Sequence, residues 1–208
     1  MTSPAKDHLI LFTRYPVVGK TKTRLIPYLG AEKAADLQRQ MTEYIVGTLH
    51  PLRSRGRLSM AVHFTGGSLG EMQGWLGPQL TYRPQRGPGL GQRLHHAFEQ
   101  GFWADFERIV VIGSDCPAIS AHHLEQAFHQ LKNHDLVLGP AQDGGYYLVG
   151  LSRGCGELFQ NIAWGTEQVF AQTVAIAAQL NLSMATLEML QDVDRLEDLP
   201  TFPPLARA

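Results

Sequence analysis

The chain has 208 residues, 44% of them hydrophobic and 18% charged, with a formal net charge of −1. That length supports one substantial core, so a single domain over residues 1–208 is expected. The near-zero charge gives no field that would draw nucleic acid or an anionic membrane, and no apolar run reaches the length of a membrane span. Leu9–Phe12 is too short for the core of a signal peptide, and two cysteines, Cys116 and Cys155, fit a reducing compartment. A cytoplasmic protein is expected.

In chain order, His8–Thr13 reads as a first strand. A polar loop, Arg14–Arg24, follows it. From Ala31, the residues Ala34, Leu37, Met41, Tyr44, Ile45 and Thr48 form one apolar stripe, the mark of a helix, which Pro51 should close. Leu58–Thr65 reads as a second strand. A glycine-bearing connection then leads to a short helix ending near Leu76. Leu80–Arg83 reads as a third strand. The glycine-rich run Gln85–Gly91 opens a helix with Leu94, Ala97, Phe98, Gly101 and Phe102 on one face.

Ile109–Ile112 is a continuous apolar run bounded by Arg108 and Gly113, as in a strand buried on both faces of a parallel sheet. Ser120 is a plausible N-cap for a helix with the stripe Leu124, Ala127, Phe128 and Leu131. Leu136–Leu138 reads as a strand and Gly139–Gly145 as a turn. Tyr146–Leu151 resumes strand character. Val169, Thr173, Val174, Ala177 and Leu180 mark a long helix, and Ser183–Leu187 reads as a last strand. This alternation predicts an α/β sheet with helices on both faces.

In such a sheet, ligands bind at the carboxyl ends of the strands. Asp115, just beyond the central strand, is therefore a site candidate. Four cations, Arg14, Lys20, Lys22 and Arg24, crowd the loop after the first strand around Gly19, a composition that suits a polyphosphate. The loop is not a P-loop, because a glycine is needed at position 14, where Arg14 stands. Gly87, Gly89 and Gly91 either let a flat base lie on the backbone or form an ordinary turn into a helix.

Asp143, Asp192 and Asp194 are further acids. Mg²⁺ is typically held by one or two carboxylates together with substrate phosphates, and Asp115 with a tail acid would meet that need. Cys116 is a poor nucleophile, since the adjacent Asp115 raises its pKa. The pairs His95–His96 and His122–His123 lack zinc-ligand spacing and read as surface or edge residues. Trp164 offers a platform for a sugar face with the hydroxyl of Thr166 beside it. The same pair could equally be a buried indole before a helix capped by Thr166. The aromatics Tyr146, Tyr147 and Trp164 could line a site or a homodimer contact.

Five segments together resemble a bacterial family, DUF2064, called glycosyltransferase-like. They are Pro16–Leu25 (PVVGKTKTRL), Gly89–Leu94 (GLGQRL), Ile112–Pro117 (IGSDCP), Gly139–Leu151 (GPAQDGGYYLVGL) and Ala163–Thr166 (AWGT). The family is placed in the nucleotide-diphospho-sugar transferase superfamily with the GT-A fold. The resemblance implies a three-layer α/β/α sandwich around a mixed, mostly parallel sheet. It implies a nucleotide bound by Arg14, Gly19, Gly89, Leu90, Gly91, Arg93 and Ser114, and a Mg²⁺ or Mn²⁺ ion on Asp115. The acceptor would meet Gly144, Gly145, Tyr146, Trp164 and Thr166.

The tail, Gln191–Leu199 (QDVDRLEDL), resembles a D-x-D-T-P-E-D-L ending of related nucleotidyltransferases, in which an Asp helps to hold the metal. Asp194 is the matching choice and Asp192 the alternative, since Arg195 and Leu196 replace the Thr-Pro pair. A GT-A glycosyltransferase carries Asp-x-Asp, whereas this chain has a single acid in Ser114–Asp115–Cys116–Pro117. The basic loop also resembles the triphosphate loop of nucleotidyltransferases such as 2-phospholactate guanylyltransferase.

Two activities follow from the resemblance. The leading one is glycosyl transfer from a nucleotide sugar to a small-molecule acceptor, with Lys20, Lys22, Arg24 and Asp143 as catalytic residues. The alternative is nucleotidyl transfer from a nucleoside triphosphate to a phosphorylated acceptor, with release of pyrophosphate.

Overall fold

The computed structural model describes residues 6–54 and 58–202. A single sheet of seven strands runs through it in the order β3-β2-β1-β4-β6-β5-β7. The strands are β1 (Asp7–Arg14), β2 (Leu58–Thr65), β3 (Thr81–Pro84), β4 (Arg108–Gly113), β5 (Leu136–Pro140), β6 (Tyr146–Leu151) and β7 (Met184–Thr186). The helices are α1 (Ile26–Leu29), α2 (Ala31–Ser54), α3 (Leu69–Leu76), α4 (Leu90–Trp103), α5 (Ala121–Gln130) and α6 (Val169–Gln179).

All neighbouring strands are parallel except β6, which runs antiparallel to both β4 and β5. The reason is the length of the connection. Only five residues separate β5 from β6, and a parallel return needs a crossover of a dozen or more.

Alternation along β1 divides the molecule into layers. Leu9 and Leu11 face a core built with Ile45 and Leu49 of α2, Met72 and Leu76 of α3, and Leu124 and Phe128 of α5. Ile10 and Phe12 face the other side, where Leu94, Ala97 and Phe98 of α4 and Ala177 of α6 pack. The expected three-layer sandwich is thus present. A third cluster joins Leu25, Ala34, Leu37 and Met41 to Val193 and Phe202 of the tail. It fastens the C-terminal segment beside the loop that follows β1.

Several boundaries differ from expectation. Pro51 does not close α2, which runs on to Ser54. The proline costs the helix one hydrogen bond near its end, and the extra turn carries Leu52 into the core at 8% exposure. Strand β3 begins one residue late, because Leu80 turns into the core ahead of it. Short helices at Thr23–Leu25, Ile26–Leu29, Gly156–Phe159 and Leu196–Thr201 lie in stretches that carry no clear apolar period.

Thr166 does not cap α6. Its hydroxyl donates to the Ala163 carbonyl and accepts from the Gln168 N–H, closing a turn three residues before the helix starts at Val169. Among the described residues, no helix is long and apolar enough to cross a membrane.

Candidate functional site

The loops that leave β1, β3, β4 and β5 open on one edge of the sheet around a cavity of about 480 Å³. Its wall includes Arg14, Arg24, Leu90, Arg93, Ser114, Asp115, Asp143, Gly145, Tyr146, Trp164, Thr166, Asp192 and Asp194. Lys20, Lys22, Gly19, Gly89, Gly91 and Gly144 do not line it. Gly144 instead lines a wider opening of about 860 Å³ that shares Arg24, Asp143, Asp192 and Asp194 with the first. Gln85, Thr65 and Thr13 complete the wall near β1 and β2. Sequence reasoning did not single these out, since two hydroxyls at strand ends and one amide at the start of a glycine-rich run carry no signal.

Asp115 owes its place to Gly113. A Cβ on Gly113 would lie 2.5 Å from Asp115 Oδ1, so the carboxylate folds back over the end of β4 only because residue 113 has no side chain. The adjoining Ser114 is 5% exposed, and its hydroxyl accepts from Gln38 Nε2 at 2.9 Å. Gln38 in turn reaches Thr42, which meets Thr13. This buried chain of polar groups ties the turn after β4 to α2 and β1. Cys116 is buried, its thiol donates to the Gln191 carbonyl, and burial together with Asp115 pushes its pKa up to about 12. It is held as a thiol and is no nucleophile.

The tail passes between two of these loops. Leu190 bonds its N–H to Pro140, and its carbonyl accepts from Gln142. The N–H of Val193 donates to the carbonyl of Asp115 at 2.8 Å. This routing brings Asp192 to the cavity beside Asp143 and Asp115. Burial, then the charges of Asp143, Asp115 and Asp194, raise the Asp192 carboxyl to about 6. Asp192 makes no ion pair among the described residues. Asp194 is already neutralised, with Oδ1 2.9 Å from Lys22 Nζ and Oδ2 2.9 Å from Arg24 Nη1. Of the two tail acids, the one favoured by the motif match is the one that is ion-paired here. Asp192 is the acid with oxygens to spare.

The basic loop also differs from expectation. The Lys22 side chain is only 4% exposed, and its ammonium donates to the Val193 carbonyl at 2.6 Å as well as to Asp194. It faces the tail rather than open cavity. Arg14 donates to the carbonyl of Lys20 and so braces the loop from the cavity side. Arg93 donates to the carbonyl of Gly87 and fixes the glycine-rich turn that opens α4.

The glycines of that turn divide in role. A Cβ on Gly91 would meet the Phe159 carbonyl at 2.4 Å and Trp164 Nε1 at 2.7 Å, so this residue serves packing. A Cβ on Gly89 would meet nothing within 4 Å. In the DGG turn, Gly144 has φ +85 and its Cβ would meet the Glu167 carbonyl at 2.2 Å, while Asp143 Oδ1 accepts from the Gly145 N–H. That turn needs its glycines for its own geometry.

Tyr146 and Trp164 meet edge to face at 6.2 Å on the cavity wall. Tyr147 also borders the cavity, but its ring packs in the opposite core cluster at 4% exposure, with its hydroxyl bonded to the Glu188 carbonyl. All three aromatics border the cavity. His123 is likewise a buried residue and not a surface one. Its Nδ1 accepts from the Ser120 N–H, so Nε2 carries the proton that is shared with Glu188 at 2.6 Å.

Comparison with known proteins gives this geometry relatives. The family described as "Uncharacterized protein conserved in bacteria (DUF2064)" matches residues 48–166, more than half of the chain. A solved structure from Desulfovibrio desulfuricans G20, provisionally named a nucleotide-diphospho-sugar transferase, is 32% identical. It superposes with a TM-score of 0.85 over 92% of this chain and 83% of that one.

Two curated relatives are the 2-phospho-L-lactate guanylyltransferases of Methanocaldococcus vulcanius, 31% identical over 67 residues, and Methanocaldococcus jannaschii, 32% over 63 residues. These matches span 32% and 30% of this chain, and only 29% and 27% of those proteins. At fold level, a cytidylyltransferase from Leptospira borgpetersenii aligns over 98% of this chain and 88% of that one. Its TM-score is 0.62 at 13% identity. The chain belongs to the DUF2064 family and carries the fold of the nucleotide-diphospho-sugar transferases.

Proposed function

We propose that this protein is a metal-dependent nucleotidyltransferase. The observation that carries the reading is charge separation within one cavity: Arg14, Arg24 and Arg93 on its wall with Asp115, Asp143 and Asp192. Guanidinium groups match phosphate oxygens in geometry as well as in charge, so the arginines suit a nucleoside triphosphate. The partial match to guanylyltransferases and the fold shared with a cytidylyltransferase support the same choice over sugar transfer.

The carboxylates fit a hard divalent cation. All donors are oxygens, which suits Mg²⁺ or Mn²⁺ rather than zinc. Among the described residues, no three acidic, histidine or cysteine side chains converge enough to hold an ion alone. Asp115 and Asp192 would therefore share it with phosphate oxygens and water. When bound, such an ion neutralises charge on the phosphates and favours departure of pyrophosphate.

The residues do the rest. Arg14 and Arg24 hold the triphosphate, and Arg93 keeps the Gly87–Gly91 turn shaped against it. An oxygen of the acceptor's phosphate, entering through the wider opening, attacks the α-phosphorus. A new P–O bond forms as the bond to the bridging oxygen breaks, and its electron pair leaves with pyrophosphate. Trp164 and Tyr146 limit access of water to that point.

A pyrophosphate-release assay tests this, with each nucleoside triphosphate, Mg²⁺ or Mn²⁺ and a panel of phosphorylated acceptors. Release that depends on one triphosphate, a metal and an acceptor supports it. Metal-dependent thermal stabilisation by a nucleotide sugar alone, with none by triphosphates, would replace it with glycosyl transfer. The name given to the Desulfovibrio relative favours that second reading.

A further inference from the structure

We propose that Lys22 is a positioning residue: with Asp194 it clamps the C-terminal tail so that Asp192 is held on the cavity wall beside Asp115. The proposal builds on the metal-dependent reading above, but its first consequence concerns the tail alone.

A lysine whose side chain is only 4% exposed needs its ammonium fully paired. Lys22 spends it on two groups of the tail, the carbonyl of Val193 and Oδ1 of Asp194. It does so from a left-handed backbone position, φ +47, that side-chain-bearing residues rarely adopt. A loop shaped only to present cations to a phosphate in open cavity has no use for either feature.

The second link is what the clamp adjoins. Val193, between the two acids, is fully buried against Leu25, Ala34 and Met41, and its N–H is bonded to the carbonyl of Asp115 itself. One residue of tail thus touches the basic loop, the third core cluster and the residue proposed to hold the metal. Asp192 precedes it and lines the cavity. Displacing Lys22 would remove the bonds to the Val193 carbonyl and to Oδ1 of Asp194, loosening the tail and letting Asp192 move from the other acids. Arg24 cannot substitute, because its side chain is 65% exposed and it bonds Oδ2 of Asp194, not the Val193 carbonyl.

The test compares wild type with Lys22→Met, Asp194→Asn and the reciprocal Lys22→Asp/Asp194→Lys pair. Three readouts are used: trypsin cleavage after Arg195, Mn²⁺ affinity without nucleotide by electron paramagnetic resonance, and metal-free nucleoside triphosphate affinity. Expected for K22M and D194N are faster cleavage after Arg195 and a loss in Mn²⁺ affinity of about ten-fold, the size typical of groups that orient metal ligands. Metal-free triphosphate affinity should stay within two-fold, and the reciprocal pair should recover tail protection in part.

Lost triphosphate affinity with an undisturbed tail and unchanged Mn²⁺ binding would overturn the proposal and make Lys22 a phosphate ligand. If K22M does not fold, D194N decides by the same measurements. If wild type binds no Mn²⁺, the metal reading falls, while the protease comparison still decides whether Lys22 clamps the tail.

Discussion

Acidification should destabilise this protein well above the pH at which ordinary carboxylates titrate, because two histidines are buried in the sheet. His8 is 7% exposed and stacked on Phe106, and burial, then Arg83, lowers its pKa from 6.5 to about 4. His63 is 4% exposed beside Phe12, and burial, then His8 and Arg83, lowers it to about 3. Both stay neutral when folded and gain a proton on unfolding below 6.5. The unfolded state then binds more protons, so stability falls as pH falls.

At pH 5, each histidine bears a penalty of about 2 kcal/mol relative to pH 7.5, and the pair about 4 kcal/mol. Asp192 acts in the opposite sense. Its raised pKa of about 6 means the folded state takes up a proton first, returning roughly 1 kcal/mol over the same interval. A net loss of about 3 kcal/mol is expected, a large share of a typical domain's stability. Urea unfolding at pH 7.5 and pH 5.0 measures it, and His63→Leu should remove about 2 kcal/mol of that net loss, roughly two-thirds of the pH dependence. Equal unfolding free energies at the two pH values would show that the two histidines are not held neutral by burial.

Asp115→Asn should abolish metal-dependent nucleotide binding in a thermal-shift assay while moving the ligand-free melting temperature little; retained binding would remove Asp115 from the metal site. Gly144→Ala should cost about 3 kcal/mol, from left-handed strain and the collision with Glu167, lowering the melting temperature by roughly 6–12 °C. Gly89→Ala meets open space and should cost under about 1 kcal/mol, so a large loss of nucleotide affinity there would place the ligand against that backbone. Cys116, held at a pKa of about 12, should resist iodoacetamide in the native protein at pH 8 and react once unfolded.

The succession of strands and helices along the chain, and the edge on which loops meet, were legible in the residues alone. These follow from local periodicity: Ile109–Ile112 cannot be covered except from both faces, and Ala34–Leu37–Met41 can form one stripe only on a helix. The sequence also marked Arg14, Asp115, Asp143 and Trp164, all of which line the cavity. Side-chain partnership was beyond its reach. Lys20, Lys22 and Arg24 are alternate cations of one short loop, yet Lys22 is buried against the tail, Arg24 faces the cavity and Lys20 does neither. Asp192 and Asp194 are two residues apart, and the motif match favours the one whose oxygens are already taken. Each outcome depends on a contact some 170 residues away in the chain, between Lys22 and Asp194, that only the folded tail can make. Periodicity encodes which face a residue presents, but the group it meets there is decided by tertiary packing.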